Sequence, residues 1–251
     1  MTFDFSGKRV LVTGGNRGIG RGVAEGFLAA GAELTLLGID DDVPEVAAEM
    51  GVPGIRCDIA DLAAVQEMAT RVDRLDVLIN NAGLELITPI DDPDPGVDAT
   101  FRRITEINVI GTFSVTRALL PKMGAGGRIV NTASVWGKTA VGEFSAYCAS
   151  KHAVIGLTRS LAHELGPRGI TVNAVCPGWV RTVASMRSLG RMAERAGRDE
   201  DALLDEIIAA QALPGLMEPP DMATTYMVLA SPAAANVTGQ AWSVDRGELM
   251  A

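Results

Sequence analysis

Histidine, cysteine and aromatic residues are scarce in this chain of 251 residues. The two histidines, His152 and His163, are too few for the histidine ligand sets of common zinc sites, so we expect no metal. The three cysteines, Cys57, Cys148 and Cys176, include no CxxC pair, which is typical of free thiols in a reducing compartment. We therefore expect a cytoplasmic protein.

Positive charge and long apolar runs are also lacking. Lys and Arg number 22 against 31 Asp and Glu, which gives a formal net charge of -9. Nucleic-acid binding requires a basic surface, so a nucleic-acid partner is not expected. The chain has no run of 18 apolar residues, and no apolar segment follows a basic start at the N-terminus. We therefore expect neither a membrane span nor a signal peptide.

Short apolar runs alternate with longer amphipathic stretches, which predicts strands alternating with helices. This pattern predicts an α/β fold, a Rossmann-type doubly wound parallel sheet of about seven strands with helices on both faces. No linker or repeat divides the chain, so one domain over residues 1–251 is expected. The predicted strands are 8–13, 33–37, 54–57, 75–79, 127–132, 170–175 and 241–244, and the predicted helices are 21–30, 44–50, 62–72, 98–120, 145–165 and 221–230.

Residues 183–215 interrupt this alternation after the sixth predicted strand. The segment is polar and has a helical pattern, and Gly190 and Gly197 are its expected hinges. Helical segments inserted at this edge of a sheet commonly close over a bound molecule. We expect a small helical lid over the substrate.

A glycine-rich turn, TGGNRGIG at 13–20, follows the first predicted strand and precedes the first helix. Glycines at this spacing let the backbone approach a pyrophosphate, and the helix N-terminus offers unpaired N–H groups and a positive dipole end. The alternative is a turn that binds nothing, since lone glycine motifs produce false positives. The strand before and the helix after favour nucleotide binding.

The end of the second predicted strand bears on the choice between NAD and NADP. Gly38 and Ile39 are followed by three aspartates at 40–42, and acidic residues here accept from the ribose 2′-OH and repel a 2′-phosphate. Arg17 is the only cation expected nearby. We expect NAD rather than NADP. Asp58, after the third strand, is either a contact for the adenine amino group or an N-cap.

Tyr147 and Lys151 lie four residues apart in a predicted helix and therefore share one face. A neighbouring ammonium lowers the pKa of a phenol, which can then exchange a proton with an alcohol or a carbonyl. Ser134 is a candidate to hold the reacting oxygen, and Asn108 to order a water beside Lys151. A Tyr-x-x-x-Lys pair alone is usually an ordinary helical pair. Together with the glycine-rich turn it indicates an oxidoreductase.

The chain resembles the short-chain dehydrogenase/reductase family in its single-domain form. The resemblance implies an enzyme that interconverts a secondary alcohol and a ketone by hydride transfer with NAD or NADP. It also implies a homotetramer built through the helices at 98–120 and 145–165 and the last strand. The matching motifs follow the family order over nearly the whole chain and are TGGNRGIG at 13–20, CDI at 57–59, NNAG at 80–83, NVIG at 108–111, Ser134, YCASK at 147–151 and PGWVRT at 177–182.

The resemblance also implies a role for each matching residue. Tyr147 would be the acid and base, Lys151 would lower its pKa and bind the nicotinamide ribose, Ser134 would orient the substrate oxygen, and Asn108 would complete the proton relay. Besides Tyr147 and Lys151, the implied cofactor-binding residues are Gly14, Asn16, Arg17, Gly18, Ile19, Gly20, Gly38, Ile39, Asp58, Ile59, Asn80, Ala82, Gly83, Pro177, Gly178, Val180 and Thr182.

The substrate positions depart from the subgroup that the chain otherwise resembles. The end of the second strand and PGWVRT resemble 3-hydroxybutyrate dehydrogenases, but Glu85, Trp136 and Phe144 stand where those enzymes carry Gln, His and Lys. The groups that would hold a small carboxylate are thus absent, and the aromatic rings favour a cyclic or apolar substrate body. The candidate substrate-binding residues are Glu85, Ser134, Trp136, Glu143, Phe144, Tyr147, Trp179 and Met186.

These features predict an NAD-dependent dehydrogenase for a small to medium cyclic, aromatic or polyol alcohol. The alternatives are a 3-hydroxy acid dehydrogenase, a non-catalytic nucleotide-sensing protein of the same fold, and an epimerase or dehydratase. The presence of Ser134, Tyr147 and Lys151 favours an enzyme, and the length argues against the epimerase. The C-terminus departs from the family's Asp-Gly-Gly, and Arg246 is expected to alter the subunit edge or reach a neighbouring pocket.

Overall fold

A single parallel sheet forms the centre of the computed structural model, which describes residues 3–250. Its strand order is β3-β2-β1-β4-β5-β6-β7, and every neighbouring pair is parallel. The predicted seven-stranded Rossmann-type sheet is therefore confirmed. The strands are β1 (Arg9–Thr13), β2 (Glu33–Gly38), β3 (Gly54–Arg56), β4 (Leu75–Asn80), β5 (Met123–Thr132), β6 (Thr171–Pro177) and β7 (Ala241–Val244).

Helices cover both faces of the sheet. The first face packs against α1, α2 and α9, and the second against α3, α5 and α6. The helices are α1 (Gly18–Ala29), α2 (Val43–Glu49), α3 (Leu62–Thr70), α4 (Gly96–Thr105), α5 (Thr112–Leu119), α6 (Ser145–Leu165), α7 (Val183–Ala196), α8 (Glu200–Ala209) and α9 (Ala223–Ala230).

Side chains that alternate along each strand form a hydrophobic core on each face of the sheet. In β1, Val10 and Val12 pack with Phe27 on the first face, while Leu11 between them packs on the second. Successive strand residues point to opposite faces, so a fully apolar run belongs in a sheet that is covered on both sides. The burial of these residues fixes the register of the central strands.

The strand order reverses between β1 and β4. The chain winds from β1 outward to β3 and then continues from β4 outward to β7 on the other side. Ligands of open α/β sheets bind in the crevice at the carboxyl ends of the strands, where the winding reverses. The glycine-rich turn after β1 and the NNAG segment after β4 meet at this crevice.

Three predicted boundaries are wrong. The helix predicted over 98–120 is interrupted by a π-helical turn, Glu106–Gly111, between α4 and α5. Such turns insert one extra residue and often occur at functional sites. Helix α1 begins earlier than predicted, at Gly18, and β5 begins earlier, at Met123.

The predicted lid consists of two helices, α7 and α8. Their apolar side chains, including Leu189 and Leu203, pack on a cluster that contains Trp136 and Trp179. Gly197 ends α7 in a left-handed conformation, and a hinge at this glycine stays a prediction. Gly190 lies inside α7 and does not interrupt it.

Candidate active site

The glycine-rich turn after β1 forms a tight cradle against the N-terminus of α1. A Cβ at Gly20 would overlap the carbonyl oxygen of Gly14 and the side-chain amide of Asn81, so only glycine fits there. Within residues 3–250, no side chain caps the first turn of α1 at Arg17. The uncapped N–H groups and the close backbone form the arrangement that binds a pyrophosphate.

Asn81 and Thr13, which the sequence analysis missed, hold this cradle in place. The Thr13 hydroxyl accepts hydrogen bonds from the backbone N–H groups of Asn81 and Ala82, both at 2.9 Å. The Asn81 amide donates to the carbonyls of Thr13 and Gly14 at 3.1 and 3.3 Å. The second Asn of NNAG therefore ties the end of β4 to the turn after β1.

Asn80, which was expected to contact the cofactor, has its side chain in the protein interior. It is 4% exposed, and its amide donates to Thr116 and Asn131 at 2.9 Å each. The expectation is corrected for this side chain, because strand alternation turns Asn80 inward and leaves Asn81 at the crevice.

The end of β2 carries a network of carboxylates around Asn16. The Asn16 amide donates to Asp40 at 3.0 Å and to Asp42 at 2.8 Å. A Cβ at Gly38 would lie 2.7 Å from the Asn16 Oδ1 atom, so Gly38 and Asn16 fit together. Asp40 also pairs with Arg17 at 3.3 Å. Two of the three aspartates at 40–42 are thus held at the strand end by Asn16.

Arg17 is not the only cation near this end of the crevice, and the expectation is corrected. The Arg56 guanidinium pairs with Asp41 at 2.9 Å and donates to the Ile39 carbonyl at 3.1 Å. The sequence pattern missed Arg56 because it lies on the adjacent strand, β3, whose pairing with β2 only the sheet reveals. Each of the two arginines faces an aspartate.

Asp58 is engaged by Arg103, and the alternative that it caps a helix is wrong. Its carboxylate accepts from Arg103 at 2.6 Å and from the Ala60 N–H at 3.0 Å, whereas Asp61 caps α3. Partial burial raises the pKa of Asp58, but these hydrogen bonds outweigh it and hold the pKa below its usual range. Any adenine contact would share this carboxylate with Arg103.

Ser134, Tyr147 and Lys151 converge where β5 ends beside α6. The Ser134 hydroxyl accepts from the Trp136 N–H at 3.1 Å and forms a hydrogen bond that lowers the pKa of the Tyr147 phenol. The Lys151 ammonium donates to the Thr132 carbonyl at 2.7 Å and lies 5.4 Å from the centre of the Tyr147 ring. The Ser134 hydroxyl, the Tyr147 phenol and the Lys151 ammonium therefore lie close together.

The expected lowering of the Tyr147 pKa by Lys151 is not found. Burial raises the pKa of Tyr147 above its usual value, and the negative charge of Glu85 raises it further. Burial also lowers the pKa of Lys151 to about 8. Desolvation disfavours the charged form of either group, and here it outweighs their mutual attraction.

Lys151 should make stability depend on pH. Its pKa is ordinarily 10.5 and is about 8 here, so burying its charge costs about 3 kcal/mol below pH 8. This cost disappears as pH rises toward 10.5, because the unfolded chain then also loses the proton. Lys151→Met should therefore gain stability relative to the wild type at about pH 7, and lose that gain by about pH 10. Urea unfolding at both pH values measures this, and a difference that does not shrink with pH would contradict it.

Asn108 lies in the π-helical turn and fixes the segment after NNAG. Its side chain accepts from the Leu84 N–H at 2.7 Å and donates to the Leu84 carbonyl at 3.0 Å and to Ser150 at 2.9 Å. A Cβ at Gly83 would lie 3.2 Å from the Asn108 Oδ1 atom and 3.5 Å from the Lys151 Nζ atom, so these groups are neighbours.

A small cavity lies between this group and the lid. Three expected substrate residues do not line it. Phe144 is fully buried behind Trp136, with the two ring centres 5.1 Å apart. Met186 packs with the aromatic cluster. Glu143 pairs with Arg195 at 2.7 Å on the outer side. The cavity is lined by Glu85, Ser134, Val135, Trp136, Tyr147, Gly178, Trp179 and Ser185.

Ser185 is a lining residue that the sequence analysis missed. Thr182 lies beside Gly18 of the glycine-rich turn and begins α7 by a capping box with Ser185, whose hydroxyl donates to the Val180 carbonyl at 2.6 Å. The T-x-x-S spacing at 182–185 was the available signal. Val180 is buried, and its backbone pairs with Met217.

Arg246 at the C-terminus contacts the end of the segment predicted as a lid. Its Nε atom donates to the Gly215 carbonyl of the same chain at 3.1 Å, and a role at the subunit edge stays a prediction. Asp245 is buried and accepts from the backbone N–H groups of Gly247 and Leu249, both at 3.0 Å. Ala251, the last residue of the unusual tail, lies outside the described residues.

Other site classes are not represented in residues 3–250. In that part of the chain, no group of three or more His, Cys, Asp or Glu side chains is arranged to hold a metal ion. None of its helices combines the length and the apolarity needed to cross a membrane.

The fold and the site together define an oxidoreductase with a nucleotide crevice, and comparisons with known proteins agree. A family model described as Enoyl-(Acyl carrier protein) reductase matches residues 14–248. Oxidoreductase UcpA from Salmonella typhimurium is 38% identical over 258 residues, which cover 98% of this chain and 95% of that protein. The chain belongs to the short-chain dehydrogenase/reductase family, in its single-domain form.

Two further relatives indicate the type of reaction that members of the family catalyse. D-beta-hydroxybutyrate dehydrogenase from Cupriavidus necator is 33% identical, covering 96% of this chain and 98% of that protein. The crystal structure of a short-chain dehydrogenase/reductase, described as a glucose/ribitol dehydrogenase, from Brucella melitensis has a TM-score of 0.90 and 30% identity over 100% of both chains. The family thus includes dehydrogenases that act on hydroxyl groups.

Proposed function

We propose that this protein is an NAD-dependent dehydrogenase that interconverts a secondary alcohol and a ketone. The observation that carries the proposal is that Ser134 and Tyr147 line one cavity beside the crevice where the sheet winding reverses, with the Lys151 ammonium 5.4 Å from the centre of the Tyr147 ring. The cradle at Gly14 and Gly20, which a Cβ would fill, fits the pyrophosphate of a dinucleotide.

Tyr147 is the proton acceptor of this mechanism. When bound, NAD supplies the acceptor for the hydride that leaves the carbinol carbon. Ser134 holds the alcohol oxygen by a hydrogen bond, and Tyr147 takes the hydroxyl proton, so the carbon–oxygen single bond becomes a carbonyl. Tyr147 accepts this proton as the phenolate, and Lys151, held by the Thr132 carbonyl, supplies the positive charge that stabilises the phenolate before the transfer. Ketone reduction uses the same groups in reverse.

The cavity favours a neutral substrate that carries a ring or several hydroxyls. Trp136 and Trp179 supply apolar surface, and none of its described lining residues carries a positive charge. A 3-hydroxy acid, the alternative suggested by the D-beta-hydroxybutyrate dehydrogenase relative, would place a carboxylate close to Glu85 without a cation in the cavity wall. A non-catalytic nucleotide sensor would not need Tyr147 and Ser134 in contact.

A substrate screen tests this function. The protein is incubated with NAD and separately with cyclic alcohols, polyols, hydroxy acids and steroids, and NADH absorbance is followed. Turnover of cyclic alcohols or polyols is the expected result. Turnover confined to hydroxy acids would favour the alternative, and no turnover with any alcohol would favour a nucleotide-sensing protein.

The end of β2 supports NAD over NADP. Asp40 and Asp42, held by the Asn16 amide, would repel a 2′-phosphate, and the nearest cations, Arg17 and Arg56, are already paired with aspartates.

Ile39→Arg should raise the use of NADP relative to NAD. Ile39 is 45% exposed at this end of the crevice, so a guanidinium there can pair with a 2′-phosphate. The ratio of kcat/KM for NADP to that for NAD should rise about tenfold, the effect of one good charged contact. Ile39→Met, which is long but uncharged, is the matched control. A wild type that already prefers NADP would refute the cofactor proposal.

We also propose a homotetramer built through the long helices and β7. Phe101 and Phe113, on α4 and α5, are 41% and 42% exposed, and Trp242 on β7 is 37% exposed. Large exposed aromatic side chains of this kind mark contact surfaces. Light scattering in solution distinguishes the tetramer from smaller assemblies.

A further inference from the structure

Glu85 is a carboxylate in the cavity wall without an ion-pair partner. Across residues 3–250, no Lys, Arg or His nitrogen lies within 4.0 Å of its carboxylate oxygens. The nearby Arg187 donates instead to the Glu85 backbone carbonyl, at 2.8 Å. The cavity therefore contains one acidic group that is available to a ligand.

The backbone around Glu85 is held rigidly. Asn108 bonds both the N–H and the carbonyl of Leu84, the preceding residue, and Arg187 of α7 holds the Glu85 carbonyl from the lid side. A side chain whose backbone is held from two sides can recognise a ligand group at a defined position.

The carboxyl group lies close to the reacting atoms. Its negative charge raises the pKa of both Tyr147 and Lys151, and it lines the same cavity as Ser134. Burial raises the pKa of Glu85 itself, and hydrogen bonding by Ser188 offsets only part of this rise. A partly buried carboxylate gains from a ligand that donates to it.

We propose that Glu85 determines specificity for a second hydroxyl group, so that the preferred substrate is a cyclic vicinal diol. One hydroxyl reacts between Ser134 and Tyr147, and its neighbour donates to the Glu85 carboxylate. This inference rests on the proposed alcohol dehydrogenase function. A hydroxyl is favoured over an ammonium because the positive charge of Lys151 is felt at Glu85 and would repel a second cation.

The test compares a vicinal cyclohexanediol with cyclohexanol as substrates, using NAD as the cofactor. We expect the wild type to prefer the diol in kcat/KM by about tenfold or more, as a hydrogen bond to a charged group allows. Glu85→Gln, which keeps a weaker acceptor, should reduce this preference, and Glu85→Ala should remove it. Because the result is the ratio of kcat/KM for the two substrates, a loss of activity that affects both equally does not change it.

Glu143→Gln is the matched control. It removes a carboxylate that contacts Arg195 of the lid outside the cavity, so it tests whether a loosened lid alone changes the preference. The diol preference should survive in this variant. Its loss there, to the same extent as in Glu85→Ala, would overturn the inference.

Two other outcomes distinguish a failure of the Glu85 proposal from a failure of the proposed dehydrogenase function. Equal turnover of diol and cyclohexanol by the wild type, or a preference for a vicinal aminocyclohexanol, would overturn the role of Glu85 and leave the dehydrogenase intact. The absence of turnover with every alcohol in the screen would contradict both.

Discussion

Tyr147→Phe is expected to lose nearly all turnover and to keep its affinity for NADH. The phenylalanine ring retains the edge contact with Trp136, whose ring centre lies 6.0 Å away, so the cavity wall remains in place. Only the hydroxyl that exchanges the proton is removed. General acid–base catalysis contributes about 100-fold to 10,000-fold, and a decrease in kcat of this size is expected. Steady-state kinetics and NADH fluorescence titration measure the two properties.

Tyr226→Phe is the control, because the chain contains only these two tyrosines. The Tyr226 hydroxyl is buried and shares a hydrogen bond of 2.8 Å with Thr132, away from the cavity lining. Its loss should cost about 1 kcal/mol of stability and leave turnover close to the wild type. Equal activity of Tyr147→Phe and the wild type would remove Tyr147 from the chemistry.

Gly20→Ala is expected to abolish nucleotide binding and to destabilise the protein by about 3 kcal/mol, because it forces a methyl group into packed backbone. The atoms in its way are the Gly14 carbonyl and the Asn81 amide, neither of which can move without opening the turn. Asn81 is itself bonded to Thr13, so the disturbance reaches the ends of both β1 and β4. Urea unfolding and NADH titration measure the two effects.

Gly156→Ala is the matched helical control for this substitution. Gly156 lies in α6, and a Cβ there would meet nothing within 4 Å. Alanine in an exposed helix interior should add about 0.5–1 kcal/mol of stability. A Gly20→Ala variant with the stability and NADH affinity of the wild type would show that the cradle is not tightly packed.

The fold was predictable because the sheet follows from local pattern. Apolar runs such as residues 8–13, bounded by glycines, agree with buried parallel strands, and their alternation with helices predicts a parallel sheet. The π-helical turn at 106–111 was not predictable, since its extra residue leaves no mark in a helical periodicity. It is a tertiary feature that lets Asn108 reach Leu84.

The candidate site was predictable only in part. Motif spacing identified Ser134, Tyr147 and Lys151, which the fold brings together. The inward turn of Asn80 and the burial of Phe144 behind Trp136 depend on side-chain direction and packing, which spacing does not encode.

The electrostatics of the site were the least predictable part. A helical spacing of four residues suggested that Lys151 would lower the pKa of Tyr147. The structure instead has both groups desolvated and a third charge, Glu85, acting on both. Desolvation depends on the whole cavity, so no pair of residues reveals it in the sequence.

Direct transfer of a labelled hydride tests the proposed chemistry most closely. The best alcohol from the screen, deuterated at its carbinol carbon, is incubated with NAD and either the wild type or Tyr147→Phe, and the cofactor is examined by mass spectrometry. We expect deuterium on the reduced nicotinamide with the wild type and almost none with the variant. Deuterium released to water, or reduced cofactor without the label, would contradict hydride transfer at this site.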